Sequence, residues 1–145
     1  MKTACVLAVT ALLGLACHST EALPEALEVM ERHFAARSEQ DHAAVIALHH
    51  PVFLAKHPAD EWSATLAEME ERLGDPTGHE LQRRKLVAGI KQAGLGSYVL
   101  LTYSVHYAHA ETRESFILFK PARGGAVQIV DHELEATRFD PGGAP

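Results

Sequence analysis

The chain predicts an α+β fold, with three N-terminal helices packed on one face of a curled four-stranded antiparallel meander. Three observations carry that prediction. Apolar residues recur at a helical period between residues 23 and 73, they switch to a period of two beyond residue 81, and short turns containing Gly or Pro separate the later segments. A run of helices followed by a run of strands places the helices together against a sheet. At 145 residues there is room for one domain. An apolar fraction of 47% with 22% charged residues suits a folded globule.

The first helix is read from Leu23, Leu27, Met30 and Phe34, which fall on one stripe with Glu25, Glu28, Glu31 and Arg32 off it. Ser38 and Asp41 offer N-caps for a shorter second helix through Val45, Ile46 and Leu48. Pro51 biases the residue before it out of helical geometry, so this helix ends near His49 or His50. Val52 to Leu54 then reads as a short extended piece between two helices. The third helix opens at Pro58, with Asp60 and Glu61 where the helix dipole favours negative charge. Trp62, Leu66, Met69 and Leu73 form its core stripe, and Gly74 and Pro76 stop it. Its EMEER segment, Glu68 to Arg72, reads as a solvated face.

The strands follow. Leu86, Ala88 and Ile90 alternate with polar or small neighbours in LQRRKLVAGIK, and GLGS turns the chain. YVLLTYSVHY sets Val99, Leu101, Tyr103, Val105 and Tyr107 on one face, with Thr102, Ser104 and His106 on the other. RESFILFK and AVQIVDHELEA complete the meander, separated by PARGG.

The N-terminus reads as a targeting segment. Lys2, an apolar run from Ala4 to Ala16 and small residues beside Cys17 reproduce the layout of a secretory signal. The run is too short for a bilayer core, which takes about 20 helical residues. Export is therefore expected, with a division into signal peptide 1–16, tether 17–21, α+β domain 22–138 and flexible tail 139–145. Cys5 leaves with the signal, so Cys17 is the one cysteine of the mature chain and an internal disulfide is excluded. Leu13-Gly14-Leu15-Ala16-Cys17 resembles a bacterial lipobox, departing from the usual pattern at Gly14 and Leu15. Cys17 is the expected lipid attachment site, and acyl chains there would anchor the domain without a span. Cleavage after Ala16 without lipidation is the competing reading. The residues after the cysteine, His18 and Ser19, lack the Asp that retains such proteins at an inner membrane, which points to an outer-membrane placement by analogy.

The formal charge is −6, and removing residues 1–16 takes away Lys2 and no acid, leaving −7. Without a basic stripe, nucleic acid is not an expected partner. By net charge an anionic lipid surface would not attract the domain either, so a covalent lipid explains membrane residence better.

DEWSATLAEMEERLG, GLGSYVLLTYSVHY, ETRESFILFKP and GGAVQIVDHELE together resemble small bacterial lipoproteins of the nuclear-transport-factor-2-like (cystatin-like) superfamily, a branch of unknown function. The resemblance covers about residues 22–136, with Val127 where such proteins often carry a Trp. It implies a cone-like sheet wrapped around the helices, a pocket at the open end and compatibility with a homodimer. It transfers no catalytic residue.

Two kinds of chemistry compete with a plain binding role. His49, His50 and His57, with Asp60 or Glu61, would make a metal site if the loop folded back on itself. His106 and His109 are three apart, which on one strand would point them to opposite faces. The simpler reading makes HHPVFLAKHP a joint between helices. A pocket enzyme of isomerase or dehydratase type would use general acid–base groups among Tyr103, His106, Asp131 and His132. A strand-end Asp-His-Glu is more often solvated. Ser97 and Ser115 lack a nucleophile-elbow context, and Gly94-x-Gly96 is a hairpin turn. The expectation is therefore an exported, lipid-anchored, non-enzymatic envelope protein that binds a small ligand or a protein partner. Cys17 serves anchoring, Trp62 serves core packing, and no catalytic, cofactor or metal residue is assigned.

Overall fold

A computed structural model describes residues 14–139, with side chains from residue 21 to residue 135. Most of the expected signal segment and the tail beyond residue 139 lie outside the described residues. Four helices precede four strands: α1 (Gly14–Ser38), α2 (His42–Ala47), α3 (Pro51–Lys56), α4 (Ala59–Leu73), β1 (Pro76–Val87), β2 (Gly96–Tyr107), β3 (Ala110–Pro121) and β4 (Gln128–Phe139). The strands form one antiparallel sheet in the order β1-β2-β3-β4. Helices followed by an antiparallel meander is the α+β arrangement that the two periodicities predict.

The expected count of three helices is corrected to four. Val52 to Leu54 belongs to α3, not to an extended piece. Pro51 ends α2 but also occupies the first turn of α3, where its missing N–H costs nothing. His50 caps this helix by accepting a hydrogen bond from Val52 N at its Nδ1, 3.1 Å away. Asp41 caps α2 as expected, with Ala44 N donating to its carboxylate at 3.0 Å. Residues 17–21, expected as a tether, continue the backbone of α1.

One face of the sheet is covered by α1. Ala22, Ala26, Val29, Met30 and Phe34 are buried against Val99, Leu101, Tyr103, Val105, Phe116, Leu118 and Ile129. The centre of the buried stripe is rotated from the expected one: Ala22 and Ala26 face the sheet, and Leu23 and Leu27 flank them half-buried. Small residues at the contact let the helix axis approach the strands closely. The inward face of β2 is the predicted set, Val99 through Tyr107. A second cluster, Val45, Phe53, Trp62 and Leu66, joins the three shorter helices.

β1 starts at Pro76, earlier than the alternation suggests, because twelve-residue β2 takes a partner along nearly its whole length. It ends at Val87, so Ala88 and Ile90 are not strand residues. Ile90 and Ala93 instead pack with Tyr98, Phe119 and Val130 on the outer face of the sheet, where Tyr98 Oη accepts from Ala93 N and donates to Gly94 O. Leu86, expected in a buried row, is 49% exposed. The free edge of β4 is covered at one point: His50 N donates to Ile129 O at 2.8 Å and Ile129 N donates to Leu48 O at 2.9 Å. HHPVFLAKHP is thus a helix joint pinned to the sheet edge.

Gly96 marks the tightest approach between β2 and β3, since a Cβ there would lie 2.0 Å from Lys120 O and 2.6 Å from Phe119 Cε2. Backbone cannot yield cheaply, so Gly96→Ala is expected to lower stability by about 1–3 kcal/mol in urea unfolding. Gly78→Ala, where a Cβ meets open space, should shift it by less than about 0.5 kcal/mol.

Candidate functional site: a buried charged network between helices and sheet

The inward stripe of α1 continues from Met30 and Phe34 to Arg37, and the inward face of β3 carries Thr112 and Glu114 before Phe116. Each places a polar side chain where the pattern calls for core. Arg37 and Glu114 are 1% and 0% exposed, and they meet with Nη1 3.9 Å from Oε2. Arg37 Nη2 donates to Tyr107 Oη at 3.1 Å, and Tyr107 Oη donates a short hydrogen bond to Glu114 Oε1. Thr112 Oγ1 donates to the same oxygen at 3.2 Å, and His132 Nε2 donates to Glu114 Oε2 at 2.9 Å. On the helix side, Arg37 Nε lies 3.7 Å from Glu70 Oε1, while His42 Nε2 donates to Glu70 Oε2 at 2.9 Å. Two carboxylates therefore flank one guanidinium, and an imidazole stands behind each carboxylate.

Burial opposes ionisation of Glu114, but the hydrogen bond and charge of His132, the Arg37 guanidinium and the Tyr107 hydroxyl outweigh it and hold the carboxyl below its ordinary value. Tyr107 is pushed up by burial and by the Glu114 carboxylate, so its proton stays in place.

Beside this network lies a group of imidazoles among aromatic rings. His33 contacts Phe34, His49, Phe116 and His132 with ring centroids 5.1–6.2 Å apart, and His132 stacks on Phe116 at 4.1 Å. Neither ring nitrogen of His33 has a protein partner. His49 Nδ1 donates to Val45 O at 2.9 Å, leaving Nε2 unpartnered within the protein. Burial, with added repulsion from His132, lowers His33 well below the usual imidazole value; burial brings His49 to about 4. Both are neutral at pH 7.

The expected site residues are distributed differently. His49 points inward, His50 caps α3, and exposed His57 lies against Phe53 and Trp62. These three do not converge on one point, and Asp60 and Glu61 are exposed in the first turn of α4. Among the described residues, no group of three or more His, Cys, Asp or Glu has a metal-binding arrangement. Trp62 is buried, as its packing role requires. Tyr103 is core, while His106 and Asp131 lie on the outer face, half-buried. Cys17 is placed in α1 by its backbone, and its side chain lies outside the described residues.

Two readings are corrected. His132 is not solvated, for its side chain is 1% exposed. A β-bulge is the reason: Leu118 pairs with Ile129 and Ile117 with Asp131, so Val130 is the extra residue and the alternation of β4 changes phase. Glu70 of the EMEER segment is likewise buried, because it lies one turn beyond Leu66 on the face that meets Arg37. Arg37, Glu70 and Glu114 were legible only as charges on inward stripes.

The surface hollows lie elsewhere. One of about 240 Å³ lies between the end of α1 and the start of β1, lined by Phe34, Ser38, Thr77 and His79, with His79 stacked on Phe34 at 4.0 Å. Two on the sheet, of about 300 and 420 Å³, share Arg113; Ser104 and Glu111 line one, and Ser115 and Glu133 the other. Among the described residues no helix is long and apolar enough to cross a membrane. In comparisons with known proteins, no family model, no curated protein and no solved structure matches the chain.

Truncating one member of a buried ion pair costs roughly 3–5 kcal/mol by stranding its partner. Arg37→Met is expected to lose that much in urea unfolding. Adding Glu114→Gln should cost clearly less than the two single losses combined, because the pair is already broken.

The imidazoles give a pH dependence of definite sign. A histidine whose folded value lies below the unfolded 6.5 binds fewer protons when folded, so its stabilising contribution is complete above 6.5 and is lost as pH falls toward the folded value. Thermal stability should therefore fall between about pH 6.5 and 4, and His33→Leu should flatten that decline.

Proposed function

We propose that the chain is an exported, lipid-anchored, non-enzymatic protein of the bacterial envelope, with outer-membrane placement by analogy, whose α+β domain binds a small ligand or a protein partner. The cystatin-like, cone-shaped assignment belongs to the same proposal. The observation that supports the non-enzymatic part is the engagement of the buried Glu114 carboxylate within the charged network. Both oxygens of Glu114 are engaged by Tyr107, Thr112 and His132, with Arg37 adjacent, and none of these side chains except Thr112 lines one of the surface hollows. A general base needs a lone pair within reach of its substrate. Glu114 spends its lone pairs on holding α1 and β4 against β3.

Binding then falls to the surface. The hollow between α1 and β1 offers an aromatic pair, Phe34 and His79, beside Ser38 and Thr77, a combination suited to a small, flat, partly polar molecule. The outer face of β2–β4 presents a polar strip suited to a partner protein or to a second copy.

Anchoring is supported by the lipobox-like residues before Cys17. In a bacterium fed a clickable fatty acid, the chain should take up label and partition with membranes. Cys17→Ser should remove the label and release the chain to the soluble envelope fraction. Unlabelled wild type would overturn the anchor, and a cytoplasmic location would overturn export as well.

A further inference from the structure

The net charge of −6 conceals a segregation of charge along the strands. Residues 83–96, which end β1 and form the β1–β2 turn, carry Arg83, Arg84, Lys85 and Lys91 and no acid. Residues 120–127, the β3–β4 turn, carry Lys120 and Arg123 and no acid. The fold brings the two turns to one end of the sheet: Gly96 pairs with Pro121, and Ala122 N donates to Leu95 O at 2.9 Å, while Arg83 and Arg84 pair with Thr102 and Leu101 at mid-strand. Lys120 is occupied, donating to Glu25 at 2.7 Å. Arg83, Arg84, Lys85, Lys91 and Arg123 are exposed and form no ion pair with a described residue.

Apolar groups accompany the charge. Leu95, at the turn, is 81% exposed, and Leu86 is 49% exposed. The opposite half of the sheet, where β1 begins and β2 turns into β3, carries Asp75, Glu80, Glu111 and Glu135, with Arg113 paired to Glu135.

The first turns of α1 belong to the basic end. The Lys120–Glu25 pair fixes the level of Glu25 at the end of β3, while Arg37 meets Tyr107 at the far end of β2. The helix therefore runs from the basic end toward the acidic one. The eleven residues of α1 before Glu25, about 16 Å of helix, lie at or beyond the basic end.

We propose that this end of the sheet is a docking surface for a bilayer containing acidic phospholipids, with Lys91 and Arg123 of the two turns facing the headgroups, Lys85 behind them, and Leu95 entering the interface. A basic residue close to an anionic bilayer strengthens binding by about fivefold, and the attraction fades within a Debye length of about 8–10 Å. What matters is thus the charge of the near end, not the total. The acidic end is repelled, which fixes the orientation. The surface deepens the anchored reading, since an anchor before Glu25 would enter the membrane on this side, but the lipid preference is a property of the unacylated chain.

The test measures sedimentation of the full chain, produced without acylation, with vesicles of phosphatidylcholine alone or mixed with phosphatidylglycerol. Any contribution of the apolar N-terminal segment is common to both, so the ratio of affinities is the readout. Wild type should favour the acidic vesicles, and added salt should erase the preference. Lys91→Glu with Arg123→Glu should reduce it by at least about 25-fold, two fivefold factors. Both side chains are exposed, and an unchanged melting curve verifies folding. Leu95→Ser should weaken binding to both vesicles. Equal affinity for the two vesicles overturns the proposal, as does a preference that survives the double reversal or tighter binding to duplex DNA than to acidic vesicles. An unlabelled Cys17 in cells with a retained vesicle preference would remove the anchor and leave the docking surface standing.

Discussion

A guanidinium cannot give up its charge at any accessible pH, and a buried one must have anions brought to it or the fold fails. Arg37 imposes that constraint on this chain. It lies at the far end of the long helix, over the sheet, with 1% of its side chain exposed. Glu114 answers it from β3 and Glu70 from α4, so one cation joins the helix layer, the sheet and the shorter helices. His132 on β4 and His42 on α2 then support the two carboxylates. Each of these positions follows from the need to satisfy its neighbour. The network adds geometric specification to a core whose apolar contacts alone would tolerate sliding.

The same economy explains why the interior looks like a catalytic site without being placed as one. A carboxylate, an imidazole, a tyrosine and an arginine within hydrogen-bonding distance form a familiar toolkit for proton transfer. Here most donors and acceptors are turned on one another, while Arg37 Nε, Glu70 Oε1 and His132 Nδ1 are buried without a hydrogen-bond partner. One interior guanidinium joins the two interior carboxylates, and the surface charges of the turns take no part in that network. The basic and acidic ends of the sheet are therefore separable from the core, and the two serve different purposes: the core fixes the relative placement of α1 and the strands, and that placement brings the start of α1 to the basic end.

Much of the architecture was legible because the amphipathic periods are clean. Trp62, Leu66 and Leu73 announced α4, and the row from Val99 to Tyr107 announced the inward face of β2. Two kinds of error had physical causes. In the sequence Pro51 signals a terminator, yet a proline that ends one helix is equally suited to the first turn of another, and His50 supplies the cap that decides it. Phase was the other. The bulge at Val130 exchanged the faces of Asp131 and His132, and a bulge leaves no reliable mark in a run such as QIVDHELE. Glu70 was hidden in an acidic segment whose other members, Glu68 and Glu71, are exposed.

The sequence by itself determined the order of elements, the faces of the long amphipathic ones, and a hydrophobic N-terminal segment ending beside Cys17. These follow from local periodicity and composition, which need no knowledge of the partner surface. Only the tertiary structure decided which charges are interior. It also decided that His132, not Asp131, meets Glu114, and that the turns carrying Lys91 and Arg123 share one end of the sheet. Those outcomes depend on register, on a bulge and on the direction of α1 across the strands. Each is set by contacts between residues far apart in the chain.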